Sequence, residues 1–329
     1  MTKTEIEDIF KGFQNKKVLI VGDAMIDSYM WGEVERMSPE APVPIVEVHK
    51  HEDRLGGAGN VARNIKSLGA QAILCSVIGN DQHGYLFRSL MKKEELSKQG
   101  IIKSDHRKTT IKIRVISENK HQLRVDEEDT HPIQVEDELL TKIDEIINEV
   151  DVIILQDYNK GVLTPKVIKE IIIKANNKKI PTIVDPKKKN FESFKNCSIF
   201  KPNLSEIQAG MNIEIDGENK KQIETATSDL RKQLNAEAIL LTLSEKGICI
   251  NTQEEFSHTP IFTKDIVDVS GAGDTVISVA SLLLSSNIKL TTLSKISSLA
   301  GGLVCKKVGV VPINKEELLK ESINVLSKI

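Results

Sequence analysis

Lys17-Val18-Leu19-Ile20-Val21-Gly22-Asp23 is a short apolar run closed by Gly-Asp, and the fold class turns on it. Consecutive apolar residues, rather than every second one, mark a strand covered on both faces, as in a parallel sheet. Strand-like runs recur at 72–78, 151–156, 180–184, 198–200 and 238–243. Polar clusters follow them: Gly79-Asn80-Asp81, Asp157-Tyr158-Asn159-Lys160-Gly161, Asp185-Pro186-Lys187-Lys188-Lys189, Lys201-Pro202-Asn203-Leu204-Ser205-Glu206 and Ser244-Glu245-Lys246-Gly247. Helix-period segments fall between the runs at 61–68, 135–150, 165–175 and 220–234, and near 290–307 and 315–327. Strands alternating with helices predict an α/β protein, a mostly parallel doubly wound sheet with helices on both faces. The polar clusters then converge on one sheet edge, where open α/β sheets bind ligands. Asp23 and Asp27 lie just past the first strand, where carboxylates can accept from sugar hydroxyls or simply sit in a solvated turn.

Two regions depart from this rhythm. Residues 29–48 hold Trp31, Val34, three prolines and the alternating Ile45-Val46-Glu47-Val48. In 109–126, Ile111, Ile113 and Val115 alternate with Lys112 and Arg114, and Leu123 and Val125 with Arg124 and Asp126, with Asn119-Lys120 as a possible turn. Both read as extended edge strands. Together they predict a small β-sheet lid whose outward apolar face needs a cover, for which a second subunit is the obvious candidate.

Composition narrows the function. A net charge of −2 on 329 residues steers the chain toward neither nucleic acid nor membrane, and 4% aromatics argue against a stacking single-strand binder. No apolar run approaches the roughly 18 residues of a membrane span. The N-terminal MTKTEIEDIFKGF is acidic and amphipathic, unlike a signal peptide. Cys75, Cys197, Cys249 and Cys305 are widely spaced without CxxC, which points to buried thiols in a cytoplasmic protein.

Two glycine-bearing turns carry the chemistry. In Asp268-Val269-Ser270-Gly271-Ala272-Gly273-Asp274-Thr275, a polar turn opens an apolar helix. Gly271 and Gly273 leave first-turn N–H groups free to face an anion. Asp274 is either a cap favoured by the helix dipole or a base beside a bound phosphate. The second turn, Leu55-Gly56-Gly57-Ala58-Gly59-Asn60-Val61-Ala62, contains G-x-G-x-x-A, with Asp81 following. That spacing imitates a dinucleotide fingerprint, but it follows the polar 49–54 segment where the fingerprint requires a buried strand. Close backbone approach to some ligand, with Asn60 as a hydrogen bonder, is the better reading. A polyol pocket, a polyphosphate cradle and a base between them are what a phosphoryl transferase needs. The P-loop pattern and the protein-kinase motifs are absent.

These motifs, in this order, resemble the ribokinase-like (PfkB) carbohydrate kinases over essentially the whole chain. The 268–275 stretch is similar to their C-terminal signature, 55–62 to their glycine signature and 201–206 to their N-x-x-E motif. Gly22–Asp27, Arg36-Met37-Ser38-Pro39-Glu40-Ala41-Pro42-Val43-Pro44, Asp157–Gly161 and Val184–Lys187 resemble the bacterial heptose kinases within that family. These phosphorylate O1 of D-glycero-D-manno-heptose 7-phosphate on the way to ADP-heptose for lipopolysaccharide.

The resemblance implies a single kinase domain over 1–329, with lid strands from about 29–48 and 109–126. It makes Asp274 the catalytic base and Gly271, Ala272 and Gly273 an anion hole. Asn203 and Glu206 would organise Mg²⁺ through water, with Thr242, Ser244 and Gly247 at the ATP. Asp27, Gly56, Gly57 and Asn60 would face the sugar. The backbone at Asp268 resembles a monovalent-cation loop, which suits K⁺. A substrate phosphate calls for cations; Lys187, Lys188 and Lys189 are candidates, although such a run also suits a solvated turn, and Lys160 and Arg114 are further ones. No nucleotidyltransferase H-x-G-H follows, so that pathway step is expected from a separate protein. Another sugar or nucleoside acceptor, or a non-catalytic sensor of the same fold, are the alternatives.

Overall fold

The computed structural model describes residues 1–118, 120–262 and 266–327. The turn proposed at Asn119 therefore lies outside the described residues, as do 263–265. In chain order the strands are β1 (Lys17–Gly22), β2 (Ala24–Met37), β3 (Pro44–Gly57), β4 (Gln71–Gly79), β5 (Ile101–Ser104), β6 (Thr110–Ser117), β7 (Lys120–Glu127), β8 (Val152–Gln156), β9 (Thr182–Asp185), β10 (Ile199–Phe200), β11 (Ala238–Thr242), β12 (Ile248–Asn251) and β13 (Phe256–Thr259).

Nine of them form one sheet in the order β13-β12-β11-β10-β9-β8-β1-β4-β5. From β5 to β11 every pairing is parallel; β12 and β13 add an antiparallel edge. Side chains of β1 alternate between two cores, as a period of two requires. Val18 and Ile20 pack with the helices Ala58–Ser67, Ala272–Ser285 and Leu290–Val304, whereas Leu19 and Val21 pack with Glu136–Ile146, Pro165–Asn177 and Lys220–Leu234. Helices thus cover both faces of a mostly parallel sheet. The four cysteines are buried free thiols.

The remaining strands form a separate sheet, β3-β2-β6-β7. Its pairings are antiparallel for β2–β3 and β6–β7 and parallel for β2–β6. The strands run further than the sequence pattern predicts. β2 begins at Ala24, directly after the Asp23 turn, and β3 continues through the polar 49–54 segment to Gly57. That segment is strand, not loop; its side chains are exposed at 49–51 and half-buried at 52–54, with none fully buried, which is why it carries no hydrophobic alternation. The dinucleotide fingerprint still fails here, because β3 pairs antiparallel with β2 rather than entering the main sheet. The helix Gln82–Lys93 and the short strand β5, which periodicity does not mark, complete the edge beyond β4.

Most helices begin with a side-chain cap. Thr2, Asp81, Thr164, Asn203, Asn219 and Asn314 each accept a first-turn N–H. The helices Ala58–Ser67 and Ala272–Ser285 instead start behind Gly57 (φ +55°) and Gly271 (φ +78°), with no side-chain cap. Positive φ there favours glycine; the Ala58 N–H is taken by Asp23 O at 3.0 Å, whereas the start of the Ala272–Ser285 helix borders a cavity.

Candidate active site

The C-terminal ends of β8, β9, β10 and β11 deliver Gln156, Asp185, Lys201 and Thr242 to one edge of the sheet. There the glycine-led start of the Ala272–Ser285 helix meets them. A cavity of about 350 Å³ opens between, lined by Gly271, Ala272, Gly273 and Asp274 on one side. Asp185, Lys187, Lys201, Asn203, Glu206, Thr242, Ser244 and Gly247 line the other, and Ile248, Ile261 and Gly302 extend it into an apolar slot.

Asp274 is 5% exposed. Its Oδ2 accepts from Asn60 Nδ2 at 2.8 Å, and its Oδ1 from the Tyr158 hydroxyl at 2.7 Å and Gln156 Nε2 at 3.3 Å. Burial is the largest influence on its carboxyl and pushes the pKa up to about 7. The Asn60 and Tyr158 donors oppose that rise, while Asp185 and Asp27 add to it. Tyr158 itself is pushed well above its ordinary value by burial and then by Asp274, so it stays a phenol and donates. The arrangement is a carboxylate poised near neutral pH at an anion-attracting helix start, the equipment of a general base.

On the far side of Asp274 lies the base of the lid. Asp27, on β2, is buried and forms an ion pair with Arg114 of β6. Gly56 faces it from β3, and any Cβ there would collide with the Asp27 carboxylate. Asn60, in the first turn of the Ala58–Ser67 helix, links this side to Asp274. Among the named candidates, Asp27, Gly56, Gly57 and Asn60 therefore group at the lid base. Lys187 does not join them. It lies on the cavity side, paired with Glu206 and over the Tyr158 ring. Lys160 pairs with Glu128.

Asn203 and Glu206 form a reciprocal capping box at the helix Leu204–Met211: Asn203 Oδ1 accepts the Glu206 N–H at 2.8 Å, and Glu206 Oε2 accepts the Asn203 N–H at 2.8 Å. Among the described residues no group of three or more His, Cys, Asp or Glu side chains is placed to hold a metal. The Glu206 carboxylate on the cavity wall, not gathered with others into a ligand cluster, fits Mg²⁺, which keeps its waters and binds chiefly through substrate phosphates. Asp268 uses both carboxylate oxygens on backbone amides, Oδ1 accepting from Ser270 N of its own turn at 2.9 Å and Oδ2 from Gly309 N, far along the chain, at 2.7 Å.

Asp23 overturns its sequence expectation. Its carboxylate accepts from the backbone N–H groups of Tyr158, Lys160 and Val162, at 2.8, 3.0 and 3.0 Å, instead of facing a ligand. It organises the loop that carries Tyr158. Tyr158, Asp185 and Lys201 stand in the polar clusters that the sequence brings to this edge but carry no assigned role there, and Gln156 is not marked at all. Their position at the ends of parallel strands was the available signal.

Residues 15–317 match the pfkB family of carbohydrate kinases. The chain belongs to that family. Over 324 residues it is 35% identical to the bifunctional protein HldE of Citrifermentans bemidjiense, covering 98% of this chain and 66% of that one. The corresponding HldE proteins of Helicobacter acinonychis and Campylobacter jejuni are 38% and 37% identical, over 92% and 94% of this chain and 65% of theirs. The chain thus spans a little under two thirds of the length of these relatives. Solved structures agree on the fold. Phosphofructokinase-2 from Escherichia coli in complex with potassium superposes with a TM-score of 0.77 at 19% identity, over 94% of this chain and 98% of that one. Arabidopsis thaliana ribokinase complexed with ribose and ATP gives 0.71 at 18%, over 93% and 99%. The pfkB chain described here is a carbohydrate kinase with a ribokinase-like fold. No helix among the described residues is long and apolar enough to cross a membrane.

Proposed function

We propose that this kinase transfers the γ-phosphoryl group of ATP to O1 of D-glycero-D-manno-heptose 7-phosphate, giving the 1,7-bisphosphate and ADP. The observation that carries the transfer chemistry is the buried Asp274 carboxylate at the uncapped start of the Ala272–Ser285 helix, between the cavity and the lid base. The sugar lies against Asp27, Gly56, Gly57 and Asn60, and ATP fills the cavity, with its base toward Ile248 and Ile261 and its phosphates toward Gly271–Gly273. Thr242, Ser244 and Gly247 line the nucleotide. Asp274 takes the proton of the acceptor hydroxyl as that oxygen bonds to the γ-phosphorus and the bond to the bridging oxygen breaks. The first-turn amides receive the charge that develops on the phosphoryl oxygens.

Glu206 and Asn203 would hold Mg²⁺ through its waters, and the ion would neutralise phosphate charge. The backbone near Asp268 would suit K⁺. The heptose assignment rests on the 22–27, 36–44, 157–161 and 184–187 segments, and is supported by the relatives' similarity across most of the chain. We further infer a homodimer through the exposed lid face, and a cytoplasmic enzyme. The test is ADP release with Mg-ATP against D-glycero-D-manno-heptose 7-phosphate, sedoheptulose 7-phosphate, fructose 6-phosphate, ribose and adenosine. Turnover confined to the heptose phosphate is expected; turnover confined to another acceptor overturns the substrate and leaves the mechanism.

A further inference from the structure

Val310 gives both of its backbone polar groups to the lid. It lies between the helices Leu290–Val304 and Lys315–Leu326. Its N–H donates to the Tyr29 hydroxyl oxygen at 3.3 Å, and its carbonyl accepts from Arg54 Nη1 at 3.0 Å. Tyr29 stands on β2 and Arg54 on β3, so both bonds run to the projecting sheet and not to the nine-stranded frame. Gly309 makes room for the arginine: its φ is +76°, and a Cβ there would lie 3.2 Å from Arg54 Nη1.

The other side of the same loop meets the start of the Ala272–Ser285 helix. The Gly309 N–H donates to Asp268 Oδ2 at 2.7 Å, in the turn that leads to Gly271. Val310 is buried, and a Cβ placed on Gly271 would lie 3.2 Å from its Cγ1. On the lid side Tyr29 is also buried. Its ring stacks on Trp31 with centroids 5.4 Å apart, and the guanidinium groups of Arg54 and Arg114 lie 5.0 and 5.5 Å from its centroid. Arg114 is the partner of Asp27. Contact is therefore continuous from Asp27 through Arg114, Tyr29 and Val310 to the helix start at Gly271. Close-packed groups of this kind transmit a displacement instead of absorbing it.

We propose that Tyr29 and Val310 are positioning residues that couple the lid to the phosphate cradle: the lid pose set by the sugar at Asp27 sets the Gly271 turn, and each substrate thereby tightens the binding of the other. This coupling rests on the kinase reading above, with the sugar at the lid base and the nucleotide phosphates at Gly271–Gly273, but not on which sugar is the acceptor. Two variants cut the link at different ends. Val310→Ala keeps both backbone bonds and removes the methyl groups that meet Gly271; Tyr29→Phe keeps the ring and removes the oxygen that holds Val310. Affinity for Mg-AMP-PNP, a non-transferring ATP analogue, is measured with and without the acceptor that the wild type turns over. A second readout needs no acceptor. Trp31 is the single tryptophan of the chain and stacks on Tyr29, so its fluorescence on adding Mg-AMP-PNP alone reports whether an event at the cradle reaches the lid.

In the wild type the acceptor is expected to tighten Mg-AMP-PNP by about fivefold or more, and the nucleotide to tighten the acceptor by the same factor, since coupling is reciprocal. In Val310→Ala the factor should fall to within about twofold of one, while each ligand alone binds within about threefold of its wild-type affinity. Tyr29→Phe should lower the factor in the same direction. The Trp31 response to saturating Mg-AMP-PNP should be present in the wild type and lost in Val310→Ala. Either readout unchanged in Val310→Ala, or absent from the wild type, overturns the proposal; a fall in thermal stability alone would leave Val310 a packing residue. If the wild type turned over no acceptor, the proposed function would fall, while the Trp31 response would still decide the coupling.

Discussion

Asn60 Nδ2 donates to Asp274 Oδ2 at 2.8 Å across 214 residues of chain. One hydrogen bond thereby joins the two glycine-led helices and sets the base at their meeting point. Asn60 holds one carboxylate oxygen, and Tyr158 and Gln156 hold the other. The carboxylate cannot rotate freely, which is the preorganisation a general base needs.

Replacing Asp274 with Asn keeps the shape and removes the base. We expect kcat to fall by at least about 10²-fold, the usual scale for general-base loss, with a modest change in ATP affinity. In the wild type, kcat should decline as pH falls through about 7, where Asp274 becomes protonated and inactive as a base. A fully active Asn variant, or a rate flat from pH 8 to 5, would refute the assignment.

Tyr158→Phe removes a donor that favours the ionised form of Asp274. Losing it raises the pKa of the base, so the acid limb of the kcat profile should move to higher pH. About one pH unit is expected, the scale of one hydrogen bond to a charged group. A profile that falls in height without moving would show that Tyr158 serves packing alone.

At Gly56 a methyl group collides with the Asp27 carboxylate, which must swing out of its pair with Arg114. Gly56→Ala should therefore raise KM for the sugar by about tenfold, the loss of about one good hydrogen bond to a charged group, and leave KM for ATP nearly unchanged. Equal rises in both would point to a general disturbance of the fold and remove Asp27 from the sugar site.

The outer strand of the lid carries Leu123 and Val125 at 58% and 47% exposure, with Val34 and Val48 also exposed on the lid. If a second subunit covers this face, Leu123→Asp should convert the dimer to a monomer by light scattering at micromolar concentration. A wild-type mass that is already monomeric there counts against the dimer.

Much of the frame was legible in one dimension. Apolar runs such as 18–22, each followed by a polar cluster, specify buried parallel strands with a common functional edge, because burial on both faces leaves no polar position. The helix Lys220–Leu234 falls where periodicity puts it. Strand ends were harder. The lid segment 49–54 is polar throughout, so nothing in its hydrophobicity distinguishes strand from loop, and only pairing with β2 makes it one.

The sequence by itself determined the α/β architecture, the two glycine turns and the acid that follows one of them, since these depend on local pattern and backbone freedom. Tertiary structure alone decided which polar side chains serve the base. Asp23, reading as either a ligand acid or a solvated turn acid, is instead buried and spent on three loop amides. Tyr158, Gln156, Asp185 and Lys201 come to Asp274 because neighbouring parallel strands end at one level. Spacing along the chain does not encode that proximity; the order of strands in the sheet does.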